Sequence, residues 1–166
     1  MGMYGIAVWL KEPRATQDFD VLVPMRQVKK AATAIQAIFP ELVLRDTPVV
    51  TRLLLDDEPI FAIMKPHHAL FKEVFNQTTL CEVTGIKVPC PNLEMSLALK
   101  FFSMTGPFRD DIKAKQDALD FIRIIRHNRN IKESELVRLA EMAYPGGGKE
   151  VLQKVEIARS GKPFTI

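Results

Sequence analysis

The sequence has few cysteines, no long apolar run and almost no excess of charge of either sign. Two cysteines in 166 residues are too few for the disulfide framework of a small secreted domain. No run of about 18 apolar residues is present, so the sequence predicts no membrane-spanning helix. The net charge is +3, from 23 basic and 20 acidic residues. This balance is too even to indicate a nucleic-acid or membrane partner from charge alone.

The composition that is present is that of an ordinary globular protein. Hydrophobic residues make up 47% of the chain and charged residues 26%, which excludes disorder, collagen and coiled coil as descriptions of the whole chain. The length suits one domain with a core of useful size. The apolar segment 1–10 lacks the preceding basic residues and the cleavage site of a secretion signal. We therefore expect a cytoplasmic protein with both thiols reduced.

The spacing of apolar residues predicts an α+β fold, with strands in the first half and helices in the second. Predicted strands cover 19–23, 42–45, 49–55, 60–64, 80–83 and 86–88; predicted helices cover 27–39, 67–75, 113–127, 132–144 and 149–159, with a further helix after Asn92. Segment 3–10 is interpreted as a helix or the end of a strand. The expected architecture is a small mixed sheet with flanking helices, residues 1–90, followed by a helical C-terminal part of the same domain, residues 91–166.

Two local signals are specific enough to predict contacts. Thr84-Gly85 indicates a hairpin turn that places Glu82 opposite Lys87 and Cys81 opposite Val88, so that the two cysteines do not face each other. Asn92 precedes a segment that is apolar nearly all round. It therefore predicts the N-cap of a buried helix.

Asp18 and Asp20 are the most informative pair of polar residues. They are two positions apart at the start of a predicted strand, so their side chains share one face. Two carboxylates on one face suit Mg²⁺, which takes oxygen ligands and leaves positions for phosphate. Phe19 between them is expected to point into the core. The alternative is that Asp-x-Asp only ends a loop before a strand, because short motifs match often by chance.

The residues around this pair extend the motif. Tyr4-Gly5-Ile6-Ala7-Val8, followed by Pro13-Arg14-Ala15-Thr16-Gln17-Asp18-Phe19-Asp20-Val21-Leu22-Val23, resembles the nucleotidyltransferase superfamily, and most closely its small bacterial members of the abortive-infection toxin (AbiEii-like) type. Their pattern is Gly-Gly-x-Ala, a short helix, Arg-x-Thr/Ser-x-Asp-hydrophobic-Asp, and a strand. Lys115-Gln116-Asp117-Ala118-Leu119-Asp120 is similar to a helix of the same family.

The resemblance implies an enzyme that transfers a nucleotide from a Mg²⁺-bound nucleoside triphosphate to a hydroxyl of RNA or protein. It implies that Asp18 and Asp20 are catalytic and hold the metal. It further implies that Gly5, Arg14 and Thr16 contact phosphate or shape the loop. A protein acceptor or an antitoxin would be the partner of a toxin-type member.

Three departures from the family pattern favour an alternative function. Ile6 stands where the wider superfamily has serine, and Ala62 stands where a third carboxylate is expected on the strand 61–64. The chain also begins almost at the motif, which predicts a truncated first strand. The alternative is a catalytically degenerate relative that serves as a nucleotide-binding or protein-interaction module. A carboxylate from Asp56, Asp57, Glu58 or Asp117 would restore the enzyme hypothesis if it reached the Asp18–Asp20 face.

Charged residues in the second half leave two interpretations open. Lys113, Asp117 and Asp120 fall on one helical face. They either reach the nucleotide phosphates or form a solvated face with a weak ion pair.

Other polar or glycine-rich residues are interpreted as structural. The loop cluster Arg109, Asp110 and Asp111 is expected to be surface only. Segment 146–148, three glycines before Lys149, lacks the spacing of a phosphate-binding loop and is expected to be a flexible linker. The histidines show no spacing typical of a zinc site.

Overall fold

The computed structural model describes residues 3–11, 16, 19–83 and 85–164. The elements are α1 (Met3–Ile6), β1 (Phe19–Leu22), α2 (Val28–Ile38), β2 (Val43–Asp46), β3 (Val50–Leu55), β4 (Glu58–Met64), α3 (Ala69–Glu73), β5 (Thr78–Val83), β6 (Ile86–Pro91), α4 (Leu93–Thr105), α5 (Asp111–His127), α6 (Glu133–Ala143) and α7 (Gly147–Ser160). Short 3-10 helices follow α1, precede α2 and follow α3. The predicted α+β class, with strands first and a helical C-terminal part, is confirmed, and segment 3–10 is helical.

The four-stranded sheet has the order β1-β4-β3-β2. β1 runs parallel to β4, and the other neighbours are antiparallel. The β3–β4 connection is a two-residue turn in which Asp56 and Asp57 have φ values of 49° and 65°. Positive φ at both positions is the backbone of a primed hairpin turn, and aspartate is among the few side chains that tolerate it.

One face of this sheet packs against α2. Val28 and Ala32 of the helix form a small core with Leu53 and Ile63 of the sheet. Leu53 is opposite Phe61, two residues before Ile63, so both sheet residues project from this face. Side chains at the alternate positions of these strands project from the opposite face, which is the one that carries Asp20.

The hairpin β5–β6 forms a second sheet of two strands. Glu82 is paired with Lys87 and Cys81 with Val88, as the turn signal predicts. Both cysteines are free and buried. Burial, together with the neighbouring Cys81 thiol, raises the pKa of Cys90 to about 11. This thiol therefore stays protonated and weakly nucleophilic at neutral pH.

Helix α4 lies at the centre of the larger core. The Asn92 side chain accepts a hydrogen bond from the backbone N–H of Met95 at 2.9 Å, so the predicted N-cap is confirmed. Residues on all sides of α4 are buried, among them Met95, Leu97 and Phe101. Residues of α3, α5, α6 and α7 complete this core around it.

The three glycines at 146–148 form the N-cap and the first two residues of α7, and Gly147 and Gly148 are buried, so the expected flexible linker is wrong. A Cβ on Gly147 would lie 2.3 Å from the backbone oxygen of Ala140, which shows how closely α7 approaches α6. The carboxylate of Glu141 accepts hydrogen bonds from Gly146 N at 2.8 Å and Gly148 N at 3.0 Å. These bonds lower the pKa of Glu141. A carboxylate of the chain itself therefore satisfies the amide of the N-cap Gly146 and that of Gly148 in the first turn of α7.

Among the described residues, no helix combines the length and the hydropathy that crossing a bilayer requires.

Candidate functional site

Asp20 is the member of the predicted aspartate pair that the structure describes. It lies half-buried in β1, while Arg14 and Asp18 lie outside the described residues. Thr16 is half-buried. The Phe19 ring stacks on Phe61 of β4 with centroids 5.5 Å apart. Phe19 remains 41% exposed, so it contacts the small core without being enclosed by it, contrary to the expected core position. This stacking fixes the start of β1 against β4.

A single row of side chains crosses the sheet at Asp20. Asp20 is opposite Ala62 of β4, Ala62 is opposite Arg52 of β3, and Arg52 is opposite Arg45 of β2. Residues directly opposite each other in a sheet project from the same face. Ala62 therefore lies between an aspartate on one neighbouring strand and an arginine on the other.

The next row on this face is covered by the helical part of the protein. Leu22, Met64 and Val50 are opposite one another across β1, β4 and β3. Val50 is buried, and Leu22 packs against the larger core. Asp20 and Arg52, one row away, are both only half-buried. Asp20 and Arg52 therefore lie at the rim of the covered area, with the buried Ala62 between them.

A third carboxylate does not accompany Asp20 within the described residues. Asp56 and Asp57 lie in the β3–β4 turn, and Glu58 is paired with Leu55 beside that turn. Glu58 precedes Ala62 by four positions along β4, which is about 13 Å of strand. Among the described residues, no group of three His, Cys, Asp or Glu side chains is arranged to hold a metal ion.

Gly5 lies inside α1, whereas the resemblance implies a residue that contacts phosphate or shapes a loop. A Cβ at this position would lie 3.6 Å from Cδ of Pro91, which is an ordinary contact. The backbone at Gly5 thus has the conformation that any residue adopts in a helix.

A buried ionic cluster joins α4 to α5. Lys100 Nζ donates to Asp117 Oδ1 at 2.8 Å and to Asp120 Oδ2 at 2.9 Å. Arg109 donates to Asp117 Oδ2 through Nε at 3.0 Å and through Nη2 at 2.7 Å. Asp117 and Asp120 are 4% and 0% exposed. Both aspartates are therefore held by cations of the chain itself.

This cluster corrects two expectations. Of the two interpretations left open, the solvated face is wrong for Asp117 and Asp120, because both are buried; Lys113, predicted beside them, is exposed. The expectation that Arg109 is only a surface residue is also wrong, because its side chain binds Asp117. Sequence reasoning missed Lys100, although a lysine between Leu99 and Phe101 in an otherwise apolar helix is a signal for a buried ion pair.

Comparisons with known proteins give a match among solved structures. No protein-family model matches the chain, and no curated protein matches it. A crystal structure of an antigenic nucleotidyltransferase-like protein from Paracoccidioides brasiliensis is similar over 99% of this chain and 84% of that chain, with 16% sequence identity and a TM-score of 0.53. The fold is nucleotidyltransferase-like. At this level of identity the similarity establishes the fold and not the activity.

Proposed function

We propose that this protein binds a Mg²⁺-complexed nucleoside triphosphate at the Asp18–Asp20 end of β1 and has little capacity for nucleotidyl transfer. The observation that carries the proposal is the position of Ala62, directly opposite Asp20 in the parallel β1–β4 pair. The nucleotidyltransferase-like fold supports the binding of a nucleotide. The missing third carboxylate argues against rapid transfer.

The residues present suit one hard cation better than two. Asp20 is half-buried in β1, and the sequence motif supplies Asp18 two residues earlier. Mg²⁺ is commonly held by one or two carboxylates together with phosphate oxygens of the substrate. When bound, it neutralises phosphate charge and orients the triphosphate. Ala62 offers no oxygen to a second ion and no base to an attacking hydroxyl.

Titration calorimetry with ATP and MgCl₂ tests the binding step. We expect saturable, Mg²⁺-dependent heat in the natural protein and none in Asp18→Ala. Glu58→Gln is the matched control, since it removes an exposed carboxylate at the other end of β4 and should bind as the natural protein does. Equal binding by Asp18→Ala, or no binding by the natural protein, would contradict the proposal.

Restoring a carboxylate at residue 62 should increase turnover. We expect Ala62→Asp to raise Mg²⁺-dependent transfer from labelled ATP by about 100-fold, within the range that a positioned acid or base contributes. The added carboxylate faces Asp20 across one strand spacing, so Mg²⁺ should also raise the Tm of this variant more than that of the natural protein. Ala62→Asn has nearly the same shape without the charge and should show neither effect.

Transfer of a nucleotide to a hydroxyl of RNA or protein is a second candidate. It is favoured by the complete sequence Arg14-x-Thr16-x-Asp18-x-Asp20. Rapid labelling of RNA or protein by the natural protein, abolished in Asp18→Ala, would establish it and would remove the degenerate alternative. An antitoxin partner rests on the sequence resemblance and stays a prediction.

A further inference from the structure

Arg52 is half-buried and has no partner among the described residues, whereas other unpaired cations of the described residues, such as Lys113 and Arg123, are exposed. Lys65 donates to Asp46 at 2.7 Å, Lys100 is held by two aspartates, and Arg45 donates to Asp57 at 3.1 Å. The Arg52 side chain is half-buried and has no hydrogen bond or ion pair within the part of the chain that the structure describes. A half-buried guanidinium without an anion leaves five donors available to a ligand.

The register of the sheet places Arg52 in the same row as Asp20. Arg52 and Asp20 project from the same face, with only the methyl group of Ala62 between them. Two strand spacings separate their Cα atoms by about 10 Å. Ala62 between them is 7% exposed, so a ligand shared by Asp20 and Arg52 would lie above a buried methyl group. A triphosphate, which carries several oxygens along its length, is a ligand that can span the distance between the two side chains.

The charges in the row also favour a phosphate ligand. Three carboxylates at one site need more than one divalent cation before a triphosphate can approach. A site with two carboxylates and an arginine needs fewer divalent cations, because the guanidinium supplies fixed positive charge and binds two phosphate oxygens at once. The row therefore has a cation beside the position where the family has its third carboxylate.

We propose that Arg52 is a phosphate-binding residue that contacts the triphosphate of the nucleotide across Ala62, beside the metal held by Asp18 and Asp20. This inference rests on the proposed function. It adds a cationic side chain from β3 to the nucleotide site. It also assigns the triphosphate, rather than the base or the sugar, to the Asp20–Ala62–Arg52 row.

Binding of two probes to matched variants tests the assignment. The probes are Mg-ATP and inorganic tripolyphosphate with Mg²⁺, each measured by calorimetry. We expect Arg52→Gln to weaken both by about 10- to 100-fold, as for the loss of a charged hydrogen bond. Arg52→Lys should lose less affinity than Arg52→Gln, because lysine keeps the charge but cannot form the bidentate hydrogen bonds of arginine. Arg45→Gln, the next arginine in the same row, should change neither by more than about twofold, because Arg45 is exposed and already paired.

The outcomes separate this inference from the proposed function. If Asp18→Ala abolishes binding and Arg52→Gln binds both probes as tightly as the natural protein, the role of Arg52 is wrong and the nucleotide site stands. If the natural protein binds neither probe, both proposals are wrong. Thermal unfolding of each variant identifies a loss of folding, and Arg52→Lys then decides the result: largely retained affinity for tripolyphosphate supports a phosphate-binding cation, and lost affinity overturns it.

Discussion

Gly147→Ala is expected to lower the free energy of unfolding by about 3 kcal/mol, the upper part of the range for overpacking a tight contact. The added Cβ would lie 2.3 Å from the backbone oxygen of Ala140 and 3.4 Å from the Phe101 ring. Backbone cannot rotate away as a side chain does, so α7 must move from α6 and disturb the core around Phe101. Urea unfolding followed by circular dichroism measures the change.

Gly146→Ala separates this steric effect from backbone strain. Gly146 has φ +88°, and nothing lies within 4 Å of the position that a Cβ would take there. Alanine at this site meets only the cost of a left-handed conformation, about 1 kcal/mol. Gly5→Ala is a second control, with an ordinary 3.6 Å contact inside a helix, and should change stability little. A loss at Gly147 no larger than the loss at Gly146 would contradict the close approach of α6 and α7.

Lys100→Met is expected to destabilise the protein by about 3–5 kcal/mol, the cost of breaking a buried ion pair by removing one partner. Met retains most of the length and apolar volume of lysine, so the loss reports charge and hydrogen bonding rather than a cavity. The side chains of Asp117 and Asp120 are 5% and 0% exposed. Without Lys100, Asp120 loses a charged hydrogen bond in the core. Urea unfolding at pH 7 again gives the measurement.

Arg109→Met is the matched control for this cluster. Its side chain is 40% exposed, so water replaces part of its interaction with Asp117, and we expect a loss of about 1 kcal/mol or less. The double variant Lys100→Met/Asp120→Asn should recover part of the loss, because it removes one buried charge. Additive losses in that double variant would show that Lys100 and Asp120 do not stabilise each other.

Features encoded within a few residues were predicted correctly from the sequence. The Asn92 cap needs only its own side chain and the amide three residues on, and the Glu82–Lys87 pair needs only the Thr84-Gly85 turn. Strands and helices fall within a few residues of their predicted positions, because apolar periodicity is a local property. The α+β class follows from their order.

Features that depend on distant contacts were not predicted. Three adjacent glycines suggest flexibility until the α6 backbone is found 2.3 Å from where a Cβ would be on Gly147. Asp117 looks solvated on a helical wheel, and only the packing of α4 on α5 encloses it with Lys100. Ala62 was identified as a departure from the family. Its neighbour Arg52 belongs to another strand, and the register that joins them is not visible in the sequence.

The place of β1 in the sheet ties ligand affinity to local stability. In the described sheet β1 is an edge strand of four residues, and its ladder to β4 joins segments some forty residues apart in sequence. The β2–β3 and β3–β4 pairs close over short loops, so they form a meander onto which β1 docks. The free energy needed to detach this edge strand is smaller than the free energy of global unfolding. A ligand that bridges Asp20 and Arg52 bonds the edge strand to the meander, and the free energy of docking β1 becomes part of the free energy of binding.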